Sequence, residues 1–414
     1  VILPLLVHQH HVAEVLSLTS DRAPVGIGVI GLGRGFVLML PALRGDPRVQ
    51  LVAACAPREV SRTAFRNEFG GNTYEDVESL CADPNVEIVY VATPHQMHCA
   101  HVIAAARAGK HVLVDKPLAI TIEDAMRMVA ACREAGVHLI VGPSHSFDAP
   151  VRIARELIES GELGKVRMIN AFNYTDFLYR PRRAEELRTD AGGGVLFSQG
   201  VHQIDIVRLL AGGLGKTVTA VTGNWDPARP TEGAYSALVS FAGGAFASLT
   251  YSGYAHFDSD EWMGWTGELG SKKSPEAYGD ARRKLAGIRS AEEEKSLKSA
   301  RTYGSGDMPK PATHHEHFGP MIVTLDKADL RLAPEGVHVY GNTRREFLPA
   351  PPVRNPRTEV IDAVVSAVRD GIPPAQTGAW GLASLEICLA ILGSAKSRTT
   401  VTLKHQTGIV GENT

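Results

Sequence analysis

Val25-Gly26-Ile27-Gly28-Val29-Ile30-Gly31-Leu32-Gly33-Arg34-Gly35-Phe36 joins a short apolar run to a cluster of glycines, and an apparent helix follows through Leu43. A fully apolar run of this length suits a strand buried on both faces of a parallel sheet. Glycines belong at its end if the chain must turn tightly and bring its backbone close to a pyrophosphate. The charge of that group then meets the free N–H groups of the next helix. A glycine turn with no ligand would read the same in isolation, and the chain on either side favours the nucleotide. The third glycine of Gly-x-Gly-x-x-Gly would fall on Phe36, while an additional glycine stands at Gly35.

Moving outward, further apolar runs at Gln50–Ala54, Ile88–Ala92, His111–Val114 and His138–Val141 alternate with helix-like segments at Glu75–Cys81, His98–Ala108 and Ile122–Ala135. Gly136 closes the last of these. Repeated βαβ units predict a doubly wound Rossmann domain over residues 23–145. After Phe147 the pattern changes. A helix is expected over Pro150–Ser160, and Val166–Tyr174, Val218–Asn224, Ala234–Phe241 and Ala245–Tyr251 alternate with period two. These runs predict a large, mainly antiparallel open sheet in an α+β domain spanning 146–405. The fold class is therefore α/β followed by α+β, and 414 residues exceed what one core holds.

Within the second domain, 272–312 form a polar insertion with a helix expected around Pro275–Ser299; a lid, an oligomer contact and a surface excursion all fit. Helices are expected over Arg357–Arg369 and Ala379–Ser397, around a Gly371–Pro374 turn. Residues 1–22 read as a mobile extension and 406–414 as a tail.

Lys and Arg total 43 against 45 Asp and Glu, a net charge of −2, which leaves no general attraction to a nucleic acid. The five cysteines are scattered and never form Cys-x-x-Cys, so neither a disulfide framework nor a zinc site is indicated, and a reducing cytoplasm is expected. The apolar start Val1–Val7 is short, lacks a basic leader and runs into His8, His10 and His11. No stretch of uninterrupted apolar residues reaches the ~18 to 20 of a membrane span, so no membrane partner is expected.

In such a fold ligands gather at the carboxyl ends of the strands. Three segments fall there. Gly31, Gly33, Arg34 and Gly35 follow the first strand; Thr93, Pro94, His95 and His98 follow the third; Asp115, Lys116 and Pro117 follow the fourth. After the second strand the chain reads Cys55-Ala56-Pro57-Arg58, with Arg62 a turn later and no acid to accept a ribose hydroxyl. Arginines there can pair a phosphate, so the expected cofactor is NAD or NADP.

Thr93-Pro94 with His98, Asp115-Lys116-Pro117, and Gly192-Gly193-Gly194 followed by Gly200-x-His202-x-x-Asp205 together resemble the glucose-fructose oxidoreductase and inositol dehydrogenase (Gfo/Idh/MocA) family. The resemblance runs over nearly the whole chain from Val25. It implies a nicotinamide-dependent oxidoreductase with Lys116 near the nicotinamide, His202 as acid or base and Asp205 supporting the site. It also implies a homodimer or homotetramer. The family often has Asp four residues before the histidine, where this chain has Ser198, so whether Lys116 or His202 accepts the proton stays open.

Asp176-Phe177-Leu178-Tyr179-Arg180-Pro181-Arg182-Arg183 precedes the glycine triplet. The guanidinium fork binds carboxylates in a bidentate manner, so a small carboxylated substrate is expected, although a solvated loop or a subunit salt bridge would read alike. Ser144-His145-Ser146-Phe147-Asp148, Asn173-Tyr174-Thr175-Asp176-Phe177 and Phe197-Ser198-Gln199-Gly200-Val201-His202-Gln203 are similar to the branch that oxidises phthalate 4,5-cis-dihydrodiol. This implies that His145, Arg180, Arg182, Arg183 and Ser198 contact substrate. A sugar, inositol or other polyol dehydrogenase, and a cofactor-binding protein without turnover, are the other readings. His314-His315-Glu316-His317 lacks the i, i+4 helical spacing of metal ligands and reads as a polar loop, so no metal is assigned.

Overall fold

The computed structural model describes residues 22–305, 312–353 and 355–409. The extension expected over 1–22 lies outside these except for Arg22, as do the last five residues of the expected tail. In chain order the first domain comprises β1 (Val25–Ile30), α1 (Arg34–Gly45), β2 (Val49–Cys55), α2 (Glu59–Phe69), β3 (Asn72–Tyr74), α3 (Val77–Ala82), β4 (Ile88–Val91), α4 (His98–Arg107), β5 (His111–Val114), α5 (Ile122–Glu134) and β6 (Leu139–Val141). Its six strands are all parallel in the order β3-β2-β1-β4-β5-β6, which reverses direction at β1 and opens a crevice between β1 and β4. Local chemistry sets the boundaries: the Asp76 and Thr121 side chains cap α3 and α5, and Gly70 ends α2 in the left-handed conformation.

The second domain continues with α6 (Ala149–Glu159), β7 (Val166–Tyr174), α7 (Val201–Leu210), β8 (Gly215–Gly223), β9 (Ala234–Phe241), β10 (Phe246–Ser252), α8 (Asp280–Ala286), α9 (Ala291–Ser299), β11 (Met321–Leu325), β12 (Ala328–Ala333), β13 (Gly336–Gly341), β14 (Arg345–Pro349), α10 (Thr358–Val365), α11 (Gly378–Ser397) and β15 (Val401–Thr402). A nine-stranded sheet runs β14-β13-β12-β11-β7-β10-β9-β8-β15, antiparallel apart from the β7–β10 pair. One face is covered by α6, α7 and α11; the other leaves Val221, Leu238, Phe246 and Ile322 exposed.

Several elements depart from the sequence expectations. The meander β11–β14 and the short polar β3 are not among the expected strands, although β11 and β12 alternate buried and more exposed positions as strands do. The helix expected over Pro275–Ser299 is two helices, parted at Gly287 and restarted at Ser290, whose hydroxyl accepts from Glu293 N. The helix expected over Arg357–Arg369 is α10 and then a π-helical turn, Ser366–Asp370. By length and composition α11 could cross a membrane, yet 67% of its most apolar window is buried inside the protein; Glu386 breaks the uninterrupted run that the sequence criterion sought. Residues 406–409 are no separate tail: Gln406 donates to the Ala383 carbonyl, and the Thr407 carbonyl accepts from Arg208.

The two domains share a seam. Val360, Ile361 and Val364 of α10 join the core on one face of the parallel sheet, and Leu385 of α11 joins the other. At this seam Asp205 of α7 accepts from Ser146 Oγ at 2.5 Å, from Trp380 Nε1 and from Ser384 Oγ at 3.3 Å. These bonds tie α7 to the loop after β6 and to α11. Asp205→Ala would leave buried donors without an acceptor, so unfolding free energy should fall by about 3 kcal/mol in urea titrations while NAD affinity changes little.

Candidate active site

Gly31 leaves β1 at φ +96, and a Cβ there would lie 2.8 Å from the Ala92 carbonyl. Gly35 serves a different purpose: a Cβ would lie 2.3 Å from Asp115 Oδ2, so its bareness lets that carboxylate approach the start of α1. Phe36, at the position of the missing third glycine, is fully buried and meets Tyr303 edge-on at 5.3 Å. A groove of about 600 Å³ runs from Gly31–Gly35 past Cys55–Arg58 to Thr93–Met97. Its glycine cradle and the free N–H groups of a 12-residue helix fit a dinucleotide pyrophosphate. When bound there, the nicotinamide supplies the hydride acceptor.

Arg58 lines this groove, its guanidinium donating to Ser61 Oγ (2.6 Å), Ser305 Oγ (2.7 Å) and the Tyr303 carbonyl (3.1 Å). Arg62 does not serve the cofactor, because Glu59, Glu75 and the Ala56 and Pro57 carbonyls occupy its guanidinium. Arg183, expected at the substrate, lines the cofactor groove and is absent from the catalytic cavity.

The catalytic cavity, about 290 Å³, adjoins the groove, and residues including Arg34, Asp115, Glu186, Ser198 and Lys298 line both. Lys116 enters from the end of β5 and donates from Nζ to the Ser198 carbonyl at 2.6 Å. Burial, against the pull of Asp115, lowers the ammonium to about 8. Burial likewise pushes Asp115 up, despite Lys116 beside it. His95 places Nδ1 3.0 Å from the Gly192 carbonyl, and burial lowers it to about 3.

His98, expected at the cofactor, lines neither space. Its Nδ1 lies 3.0 Å from the Pro117 carbonyl and its Nε2 3.0 Å from the Thr93 carbonyl, so it pins the two site-bearing turns to each other. Pro117 shapes its turn and lines neither space. Asp205 is no catalytic residue: it stays outside the cavity and supports the site from the seam, through Ser146, Trp380 and Ser384.

His202 lines the cavity from α7, with Nδ1 3.5 Å from Ser144 Oγ. Burial first, then the positive Lys116, His145 and Arg357, push its imidazole well below its ordinary value. His145 sits 4.6 Å away between ring centroids and donates from Nδ1 to Asp148 Oδ2 at 2.7 Å. Burial would lower His145, but Asp148 outweighs it and the imidazole ends above its usual value.

Arg180 and Arg182, expected to contact substrate, line the cavity. Arg180 is shared with Asp176 (2.9 Å) and Glu268 (3.7 Å). Arg182 lies 3.5 Å over the Phe177 ring and donates to its carbonyl, while its buried Nε has no partner. The sequence reading missed Lys298, Arg301 and Arg357. The first two come from the insertion, which α9 anchors through Glu294 to Arg182 N and Arg229, both at 2.7 Å, and through Lys298 to Glu186 at 2.8 Å. The open question over 272–312 is thereby answered in part, since it walls the site. The Arg301 guanidinium makes no ion pair among the described residues. Arg34 is pushed down to about 10 by burial and by the neighbouring Arg301 and Arg357.

Within His314-His315-Glu316-His317, His315 and His317 meet the Pro351 and Thr266 carbonyls, as suits a loop. Glu316 departs from the polar-loop reading: it is buried, and its donor atom falls within 4.8 Å of those of His145 and Asp148. Arg357 Nε is 3.2 Å from both Glu316 oxygens and supplies the opposing charge.

The glycine cradle, the switch-point crevice and the buried lysine beside it define an NAD-binding oxidoreductase. Residues 25–143 match the oxidoreductase family with an NAD-binding Rossmann fold, and 151–272 match the C-terminal domain of the same family. The chain is 47% identical over 375 residues to 1-carboxy-3-chloro-3,4-dihydroxycyclohexa-1,5-diene dehydrogenase of Comamonas testosteroni, covering 89% of this chain and 94% of that one. A crystal structure from Bordetella bronchiseptica RB50, described as a dehydrogenase, is 41% identical with a TM-score of 0.87, over 92% of this chain and all (100%) of that one. Levoglucosan dehydrogenase, solved with NADH and levoglucosan, shares the fold at 20% identity and a TM-score of 0.69, covering 92% and 99%. The chain belongs to the Gfo/Idh/MocA family.

Gly35→Ala should displace the Asp115 carboxylate and weaken NAD binding about tenfold by fluorescence titration, equivalent to about 1.4 kcal/mol, with little change in stability.

Proposed function

We propose that this enzyme oxidises a carboxylated cyclohexadiene cis-diol, of the phthalate 4,5-cis-dihydrodiol type, to the corresponding catechol. The observation that carries this reading is the charge of the catalytic cavity. Arg34, Lys116, Arg180, Arg182, Lys298, Arg301 and Arg357 line it with Asp115, Glu186 and Glu268, and the cations remain in excess even with Asp176 and Glu316 paired to Arg180 and Arg357 from outside it. Buried and half-buried cations in such excess favour an anionic occupant, and a polyol offers none. The relative from Comamonas testosteroni supports the same class, since its name describes a carboxylated cyclohexadiene diol.

In this reading Arg182 and Arg301 hold the carboxylate, and Arg180 closes one side. Lys116, fixed by Ser198, directs its ammonium at the reacting oxygen. The chain's contribution is to orient the carbinol and exclude water, because aromatisation of the product already drives the reaction forward. NADP is proposed as a further cofactor, with Arg58 and Arg183 facing the groove beyond β2. The five cysteines, all buried and unpaired, suit a cytoplasmic setting, and the exposed face of the large sheet suits a second copy of the chain.

With NAD and then NADP, phthalate 4,5-cis-dihydrodiol and monocarboxylated cis-dihydrodiols should reduce the nicotinamide, followed by its absorbance, while inositol and glucose should not; turnover of uncharged polyols alone would overturn the reading. Arg301→Ala should raise KM for a carboxylated diol about tenfold or more and leave an uncharged diol unaffected, as expected for losing one charge-assisted hydrogen bond of about 1.5–3 kcal/mol. Lys116→Ala should lower kcat by about 100-fold or more while NAD affinity holds.

A further inference from the structure

Four nitrogen bases line the catalytic cavity: Lys116, His95, His145 and His202. Lys116 is committed as a donor to the Ser198 carbonyl. His95 meets a backbone carbonyl, and the nearest polar group to His202 is the Ser144 hydroxyl at 3.5 Å. Only His145 has a carboxylate on its ring, through Nδ1 and Asp148 at 2.7 Å. Burial raises Asp148 against the pull of His145, and with that carboxylate ionised the bond places the neutral ring's proton on Nδ1 and leaves the lone pair on Nε2, which makes no hydrogen bond among the described residues. Asp148 itself is absent from the catalytic cavity and lines a second one of about 420 Å³, which reaches the surface beside the exposed Arg152, Glu156 and Pro351. His145 and Asp148 thus stand in the wall between two cavities, with the active site on one side and a route to solvent on the other.

We propose that His145 is the general base of the oxidation, with Asp148 as the positioning residue that orients it and passes the proton to the second cavity. The substrate O–H bond breaks and an Nε2–H bond forms on His145. The oxygen's electron pair becomes the new C=O bond as the carbinol hydrogen leaves with its own pair as hydride, whose acceptor is the NAD of the established activity. The imidazolium so formed lies against the Asp148 carboxylate, and its Nδ1 proton moves through Asp148 to water beside Arg152. Lys116 holds the oxygen throughout as an ammonium donor.

The charged surroundings agree. Around His145 lie Asp148 on its own loop, Glu316 and His317 on the loop before β11, Arg357 before α10 and His202 on α7, with the Phe318 ring 5.4 Å away. Asp148 and Glu316 together outweigh burial and Arg357, and the imidazole is raised accordingly. His202, buried, with no carboxylate and with Lys116 and Arg357 nearby, is held neutral and weakly basic.

The proposal rests on the dehydrogenase reading of the site but not on which diol is oxidised. Its test is therefore double. Imidazole titration by NMR of the full chain, which needs no substrate, should show His145 titrating above an ordinary histidine and falling by about one unit or more in Asp148→Asn. With a turned-over diol, the acid limb of kcat/KM should follow that titration, moving to lower pH in Asp148→Asn, because a base with a lower pKa stays unprotonated further into acid. Asp148→Glu should return the limb towards its original position, and His145→Gln should remove the limb and lower kcat about 100-fold or more with NAD affinity retained. A His145→Gln enzyme that binds NAD and keeps both its acid limb and its kcat would overturn the proposal. So would an Asp148→Asn enzyme whose imidazole shifts while the limb stays in place. Failure of every diol, with the imidazole titrating as expected, would count against the substrate class alone.

Discussion

The hydrogen bond from Lys116 Nζ to the Ser198 carbonyl is the contact on which the site depends, because it fixes a buried ammonium from the first domain against the backbone of the second. An ammonium taken out of water carries a large desolvation cost, met only by close dipoles and opposing charge. Here the carbonyl is one such dipole and Asp115, the next residue in the chain, is the opposing charge. Gly35 makes room for that carboxylate at the head of α1. One glycine, one acid and one carbonyl, from three separate elements, therefore hold the cation where the cofactor groove meets the catalytic cavity.

The same economy explains why the seam between the domains is polar. Asp205 satisfies donors from the loop after β6 and from α11, and Arg208 one turn later donates to the Trp380 carbonyl and Ser384 at 2.9 Å while stacking 3.8 Å over the Trp380 ring. These groups cannot rearrange cheaply, since each is buried and each would orphan a partner. Lys116 and His202, carried on opposite sides of the seam, inherit that rigidity.

The parallel sheet, its glycine turn and the lysine turn were legible because they are local: strand, turn and helix lie within a few residues, and their periodicity is strong. Much of the rest was not local. Lys298 and Arg301 reach the cavity from an insertion whose composition reads as a solvated surface, and Arg357 reaches it from the start of α10, 241 positions after Lys116 in the numbering. The motif histidine His98 misled for the opposite reason. A polar residue that clamps two turns and one that acts on a substrate look alike in a linear pattern, and only burial with satisfied partners separates them. Arg183 was displaced by one position: Arg182 turns inward over Phe177, and its neighbour consequently faces the groove.

Arg357 draws these strands together. It holds φ +66, which side chains rarely adopt, and such conformations persist where the surroundings over-determine them. The surroundings here are the paired Glu316 oxygens and membership of both the catalytic cavity and the second cavity. Its charge lowers Lys116 and His202, opposes the rise of Asp115 and tempers the rise of His145. This fixed cation lowers both neighbouring imidazoles; what separates their proton affinities is Asp148, which offsets it at His145, whereas His202 has no carboxylate. The difference between the two rings follows from which of them the chain has given a carboxylate, and that choice was made by the spacing of His145 and Asp148 around one short turn.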